Sequence, residues 1–269
     1  MIWNPDAESA ELKTMRQHQL ESLRKLVDLV YTRVPFYKKK FDDAGVKPDD
    51  IKNLADIQKL PFTSKSDLRE TYPYGLVSAP MEEIVEVHAS SGTTGTPVVD
   101  AYTENDINIW SDSMARTLSM AGTTHKDIVQ NAYGYGLFTG GLGVHYGTRR
   151  IGAHIIPISA GNTQRQIAVM RDFGSSILTC TPSYSLYLAE AAREMGIDFR
   201  KLKLKAGCFG AEPWSDNMRN EIEEKLNLSA HDIYGLTEII GPGVASECEA
   251  KKGLHINEDY FYPEVINSE

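Results

Sequence analysis

The stretch VHASSGTTGTPVV, residues 87–99, sets five hydroxyl side chains and two glycines in seven consecutive positions: Ser90, Ser91, Gly92, Thr93, Thr94, Gly95 and Thr96. Glycines permit conformations in which successive backbone N–H groups point at one anion, and the hydroxyls add donors at the mouth. That is the chemistry of a phosphate cradle. It is not the G-x4-G-K-[ST] loop, because no lysine follows Gly95 and the next residues read as a strand rather than a helix. A plain Gly/Ser/Thr hairpin loop accounts for the pattern equally well.

Further stretches carry chemistry-bearing residues. GAEPWS (210–215) and DIYGLTE (232–238) each follow an expected strand. AYGYGLFTGGLG (132–143) sets Tyr133 and Phe138 among glycines. A slot of that kind suits a flat apolar acid, and the same rings are equally suited to packing a core. ECEAKKGLH places Cys248 and His255 with six residues between them, a spacing that makes no compact zinc finger by itself. Cys180 and Cys208 read as small buried residues. No Gly-x-Ser-x-Gly elbow supports a hydrolase.

The elements that must position these residues fall into two textures. Residues 1–80 read as a helical segment: apolar residues from Leu12 to Val30 keep helix spacing, Pro35 stops that helix, and 49–60 and 64–71 read as shorter helices, the latter capped by Ser64. From 81 to 269 the chain reads as an α/β domain, with strands at 84–89 and 98–102, then a helix whose apolar face is Ile107, Trp110, Met114 and Leu118. Strands and helices alternate beyond it, which predicts mainly parallel sheets flanked by helices. Ligands of such sheets sit at the carboxyl ends of the strands, where the loops after Ala89, Ala132, Phe209 and Tyr234 should lie. Tyr260, Tyr262, Val265 and Ile266 read as strand material.

Acidic residues outnumber basic ones 37 to 28, for a net charge of −9, so no general basic field exists for nucleic acid or an anionic membrane. Three cysteines make no even-numbered disulfide framework, no signal peptide is visible, and no apolar run nears the roughly 20 residues a membrane helix needs. The expected setting is the cytoplasm. Oligomeric state is open, a homodimer included.

SSGTTGTP with a downstream YGLTE resembles the adenylate-forming superfamily of acyl-CoA synthetases. VPFYKKKFDDAGVKPDDI, KLPFTSKSDLRETYPYGL, AYGYGLFTGGLGVHYG, GCFGAEPWS and DIYGLTEIIGPGVA, in order, are similar to one branch of it, the phenylacetate–CoA ligases. The resemblance implies ATP-dependent activation of an aryl-acetic acid to an acyl-adenylate and then to the CoA thioester, with ATP, Mg2+, coenzyme A and a small carboxylic acid as partners. Residues 90–96 would hold the β- and γ-phosphates. Gly210, Ala211, Glu212 and Pro213 would line the adenine, mostly through backbone. Asp232, Ile233, Tyr234 and Gly235 would complete the nucleotide site, with Tyr234 packed on the base. Thr237 would contact the α-phosphate, Glu238 would hold Mg2+, and Tyr133 and Phe138 would wall the aryl pocket. Some members of the branch pair a Cys and a His at the places of Cys248 and His255 with a downstream Cys-x-Cys to form a structural Zn2+ site, which makes these two half of such a site. Two features depart from the pattern. Thr96 and Val98 stand where many members carry a lysine, and the ribose-binding Asp, the adenylation Lys and the C-terminal lid domain would lie beyond Glu269. A non-catalytic nucleotide-binding module is therefore the alternative reading.

Overall fold

The computed structural model describes residues 1–90 and 95–267, so Ser91, Gly92, Thr93 and Thr94 lie outside the described residues. Two compact units emerge, one comprising Asn4–Asn105 with Asn257–Glu269, the other Met1–Trp3 with Asp106–Ile256. The change from helices to strands near residue 80 is present, but the division between units falls at Asn105/Asp106.

The unit built on Asn4–Asn105 opens with helices α1 (Pro5–Glu8), α2 (Leu12–Arg33) and α3 (Pro35–Asp43). Pro35 both stops and starts a helix. It drives Val34 to an extended φ of −114° and then occupies the first position of α3, where its missing N–H costs nothing. Val27, Phe41 and Ile51 bury together with Leu20, Leu23 and Val30, whereas Leu12 and Leu26 of the expected stripe are exposed. The helix expected over 49–60 is instead two 3-10 turns, Pro48–Asp50 and Leu54–Lys59. The second is fixed by Asn53, whose side chain accepts from Ala55 N–H. Ser64 caps α4 (Lys65–Glu70) in a reciprocal box with Asp67, as its sequence predicts.

Strands β1 (Ile84–Ala89) and β2 (Val99–Thr103) form an antiparallel hairpin whose loop carries the Gly/Ser/Thr stretch. Residues 257–267 form no strand, contrary to the reading of Tyr260, Tyr262, Val265 and Ile266. Pro263 removes a ladder donor there. The segment instead runs along α2, with Gln19 Nε2 donating to Glu258 O at 2.9 Å and the Arg16 guanidinium 5.7 Å from the Tyr262 ring centre.

The second unit comprises α5 (Glu104–Met120, from Asp106), β3 (Ile128–Asn131), α6 (Thr139–Ile151), β4 (His154–Ile156), α7 (Thr163–Phe173), β5 (Ile177–Cys180), α8 (Pro182–Glu194), β6 (Ala206–Gly210), α9 (Asp216–Leu226), β7 (Ser229–Leu236), β8 (Gly241–Glu247) and β9 (Leu254–Ile256). They build one seven-stranded sheet of order β4-β3-β5-β6-β7-β8-β9. Pairing is parallel from β4 to β7 and antiparallel from β7 to β9, so the mainly parallel α/β class is correct and the antiparallel edge is new. Every residue of β5 and β6 is buried, as expected where helices cover both faces. One face of α8, Ser185, Leu188, Ala189 and Ala192, packs into a core with Ile167, Met170, Leu178, Phe209, Ile222 and Leu226. A fully buried leucine such as Leu188 contributes roughly 1.5–3 kcal/mol. No helix among the described residues is long and apolar enough to cross a membrane.

Helix α6 is not evident from its glycine-rich sequence, and its packing explains the glycines. A Cβ at Gly143 would stand 2.7 Å from the Trp110 ring, and one at Gly147 would stand 2.5 Å from Met114 Cβ. The small residues let α6 approach α5 more closely than side chains would allow. Gly147→Ala should therefore destabilise by about 1–3 kcal/mol through overpacking, despite alanine's better helix propensity. Urea titration of the two proteins reads this directly, and equal midpoints would mean that the interface yields.

Candidate nucleotide and acid site

The expected site residues of the second unit lie at the carboxyl ends of β3, β6 and β7. Gly210 closes β6, and a side chain there would strike the Ile233 carbonyl on β7. Ala211 follows with φ +71°, in the left-handed region that alanine rarely adopts, and is exposed, as is Pro213. Glu212 is half-buried and accepts from the Ser183 N–H at 2.6 Å. Trp214 Nε1 donates to Asp232 Oδ1 at 2.9 Å. Burial pushes the Asp232 carboxyl above its usual range, and the Trp214 hydrogen bond opposes that shift. Arg219 stacks over the Trp214 ring at 4.6 Å and grips Glu247 with two bonds of 2.8 and 2.9 Å. Glu247 in turn accepts the Asp232 N–H at 2.8 Å. The sequence reading missed Trp214, Arg219 and Glu247, although a tryptophan directly after GAEP was a visible signal.

Beyond Asp232, Ile233 is buried and Tyr234 is 45% exposed, near the end of the strand. A register shift between Tyr234 and Gly235 leads into the 3-10 turn Thr237–Ile239. Thr237 is buried and Glu238 half-buried. Ile240 ends the turn at φ +73°, a strained conformation for a β-branched residue. Strain of this kind survives only where surrounding structure over-determines it, and it concentrates at functional turns.

Asn131, the last residue of β3, organises the acid-slot stretch. Its Nδ2 donates to Tyr135 Oη at 2.9 Å and to Gly141 O at 2.7 Å, while its Oδ1 accepts from Thr179 Oγ1 at 3.0 Å and Tyr133 N at 3.3 Å. Tyr135 Oη also lies 3.3 Å from His145 Nδ1, and burial with the nearby Arg149 charge holds His145 below its usual range. Tyr133 is buried. Its hydroxyl reaches toward the Gly210 backbone yet completes no hydrogen bond among the described residues, and burial pushes the phenol well above its ordinary range. Phe138, by contrast, is exposed, its ring over Gly140 at the start of α6. The two expected pocket aromatics thus occupy different environments. Two buried amides, Gln130 and Asn131, closing a short strand were the sequence signal for Asn131.

In the β1–β2 hairpin, Ser90 N donates to Val98 O and Ser90 Oγ accepts from Val98 N, both at 2.9 Å, so Ser90 closes the base of the loop. Gly95, at φ +129°, and Thr96 are exposed. On the antiparallel edge of the other unit, Cys248 follows β8 and His255 sits on β9, with Sγ and Nε2 3.3 Å apart. No set of three or more potential metal-binding His, Cys, Asp or Glu groups is present among the described residues.

No family model matches the chain. Curated relatives do. The chain is 52% identical over 261 residues to the phenylacetate-coenzyme A ligase of Pseudomonas putida, 50% over 262 residues to that of Escherichia coli, and 46% over 268 residues to that of Thermus thermophilus. These alignments take in 97–99% of the chain, which spans 60% of each relative's length. Among solved structures, it is similar to a 2-hydroxyisobutyryl-CoA ligase in complex with 2-HIB-AMP and CoA in the thioesterification state, with a TM-score of 0.91 and 28% identity over 96% of this chain and 56% of that one. The same ligase in the postadenylation state with 2-HIB-AMP gives a TM-score of 0.90 at 27% identity, again over 96% of this chain and 56% of that one.

The left-handed Ala211 yields a stability test. Glycine should relieve a strain of about 1–2 kcal/mol while loosening the unfolded chain by about 0.4–1 kcal/mol. Ala211→Gly is therefore expected to raise the thermal midpoint slightly, and a clear fall in calorimetry would place Ala211 in another conformation.

Proposed function

We propose that this chain, a homologue of the phenylacetate–CoA ligases along nearly its whole length, carries the ATP and acid sites of an enzyme that activates an aryl-acetic acid to its CoA thioester. The observation that carries the proposal is the 52% identity to a named phenylacetate-coenzyme A ligase over 97% of the chain. The placing of Tyr133, residues 210–213 and residues 232–238 at the carboxyl ends of β3, β6 and β7 supports it, although the 90–96 stretch belongs to the separate β1–β2 hairpin and not to that sheet.

A carboxylate oxygen of the acid attacks the α-phosphorus of ATP, the bond to the β-phosphate oxygen breaks, and pyrophosphate leaves. The CoA thiol then attacks the acyl carbon and AMP departs. No protein nucleophile is needed. Burial raises the thiols of both Cys180 and Cys208, so neither is a ready thiolate. The exposed ring of Tyr234 supplies a face for the adenine, and the exposed turn Ala211–Pro213 supplies its edge. Thr237, buried in the turn after β7, is assigned to the α-phosphate on sequence grounds. The Glu238 carboxylate is a fitting oxygen donor for magnesium, which when bound neutralises phosphate charge. Residues 90–96 are assigned to the β- and γ-phosphates on sequence grounds. Tyr133 and Phe138 are assigned to the acid slot on the same basis. The enzyme would act in the cytoplasm, where three free cysteines stay reduced.

Cys248 and His255 fit half of a tetrahedral zinc site, since their donor atoms already face each other. The ion would pin β9 to the end of β8.

Calorimetry with ATP and magnesium should show saturable binding, and the double substitution Thr93→Ala, Thr94→Ala should weaken it about tenfold while stability moves by no more than about 0.5 kcal/mol. Unchanged affinity would remove the loop from the site. For the zinc, metal analysis of protein purified without chelator should show bound metal that is lost in Cys248→Ser. Because the ligand is a thiolate, retention should fall as pH drops. Zinc content that ignores both changes would leave ECEAKKGLH an ordinary surface turn.

A further inference from the structure

We infer that Glu212 is a positioning residue for the nucleotide: its carboxylate, docked on the first turn of α8, holds the Gly210–Pro213 turn in the shape that meets the adenine edge. The inference rests on the nucleotide reading given above and goes beyond it, because that reading assigns this turn a role mostly through its backbone and gives the Glu212 carboxylate no task of its own.

The hydrogen bonds of the first turn of α8 leave little freedom. Thr181 is the N-cap and Pro182 has no N–H. Tyr184 N–H goes to Thr181 Oγ1 and Ser185 N–H to Thr181 O. The remaining donor, Ser183 N–H, goes to Glu212 Oε1 at 2.6 Å. A carboxylate at a helix N-terminus is favoured both by that bond and by the helix dipole. The turn is thus tied on one side to the helix that follows β5. On the other side, Trp214 Nε1 ties it to Asp232 on β7, and the Arg219–Glu247 pair backs that contact. Between the two ties sits Ala211 at φ +71°. An alanine holds that conformation only when its neighbours impose it, and these two ties are the groups that do. Both run between neighbouring strand ends of the parallel sheet, so the exposed edge of the turn is set against β5 and β7 together.

The test measures binding of ATP with magnesium, of AMP, and of phenylacetate to the full chain by calorimetry, with a thermal melt of each variant as a folding control. Glu212→Ala should weaken ATP and AMP by the same factor, about tenfold for the loss of one charge-assisted hydrogen bond, while phenylacetate affinity stays within about twofold. Glu212→Gln should restore near-wild-type binding, since its amide oxygen still accepts from Ser183. Trp214→Phe, which keeps the ring and deletes the donor to Asp232, reads the second tie independently and should show the same equal loss for ATP and AMP. Unchanged nucleotide affinity in Glu212→Ala would overturn the inference. So would a Glu212→Gln variant as weak as the alanine, which would assign the effect to charge, or a loss confined to ATP, which would move it to the phosphates. A wild-type chain that binds neither nucleotide would instead sink the nucleotide reading itself.

Discussion

The ion pair between Arg219 and Glu247 sits where the sheet changes direction, and much of the site's geometry leans on it. Glu247 ends β8, the first antiparallel strand, and Arg219 lies on α9, which follows the parallel strand β6. Both side chains are largely buried, at 15% and 7% exposure, so each is costly to desolvate and costlier to leave alone. Removing one partner of such a pair costs about 3–5 kcal/mol. The pair returns that cost as order. Glu247 also accepts from the Asp232 N–H, and Arg219 also donates to the Ala230 carbonyl and covers Trp214. The last parallel strand, the helix before it and the antiparallel edge are thereby fixed to one another. Tyr234 to Glu238 project from that fixed frame.

A second constraint comes from α5, whose residues Trp110 to Ser119 are all buried. Such a helix must satisfy its polar groups internally. Ser111, Ser113 and Thr117 donate to carbonyls one turn back, and Asp112 pairs with Arg116. Trp110 Nε1 reaches the Pro242 carbonyl at 2.9 Å, which ties the helix to the strand that follows the Thr237–Ile239 turn. The glycines of α6 complete the arrangement by bringing that helix down onto Trp110 and Met114.

Much of this was legible in the sequence. The alternation of strands and helices announced a mainly parallel sheet, and the loops after strands β3, β6 and β7 were found where ligands of such sheets bind. Ser64 and Asp67 announced their helix because a capping box is a local code. Failures came where the deciding contact was distant. Helix α6 was hidden because its glycines answer to the side chains of α5. The strand character of residues 260–266 was only composition, since no sheet edge receives them. Arg219 and Glu247 look unremarkable alone, and join Trp214 in a network only when β7, β8 and α9 are assembled. The proposed nucleotide and acid ligands rest on spaced motifs rather than on periodicity, which knows nothing of ligands.

The segment 257–267 belongs to the same compact unit as Asn4–Asn105, although residues Asp106–Ile256 of the other unit come between them in the chain. Gln19 and the Glu258 carbonyl that it binds are 239 residues apart. On a ribosome that adds about 5–20 residues per second, the early helices would wait roughly ten to fifty seconds for this partner. During that interval the face of α2 carrying Arg16 and Gln19 has no segment to receive. The order of synthesis is therefore not the order of completion: the unit that begins at Asn4 closes only after every strand of the seven-stranded sheet has been synthesised.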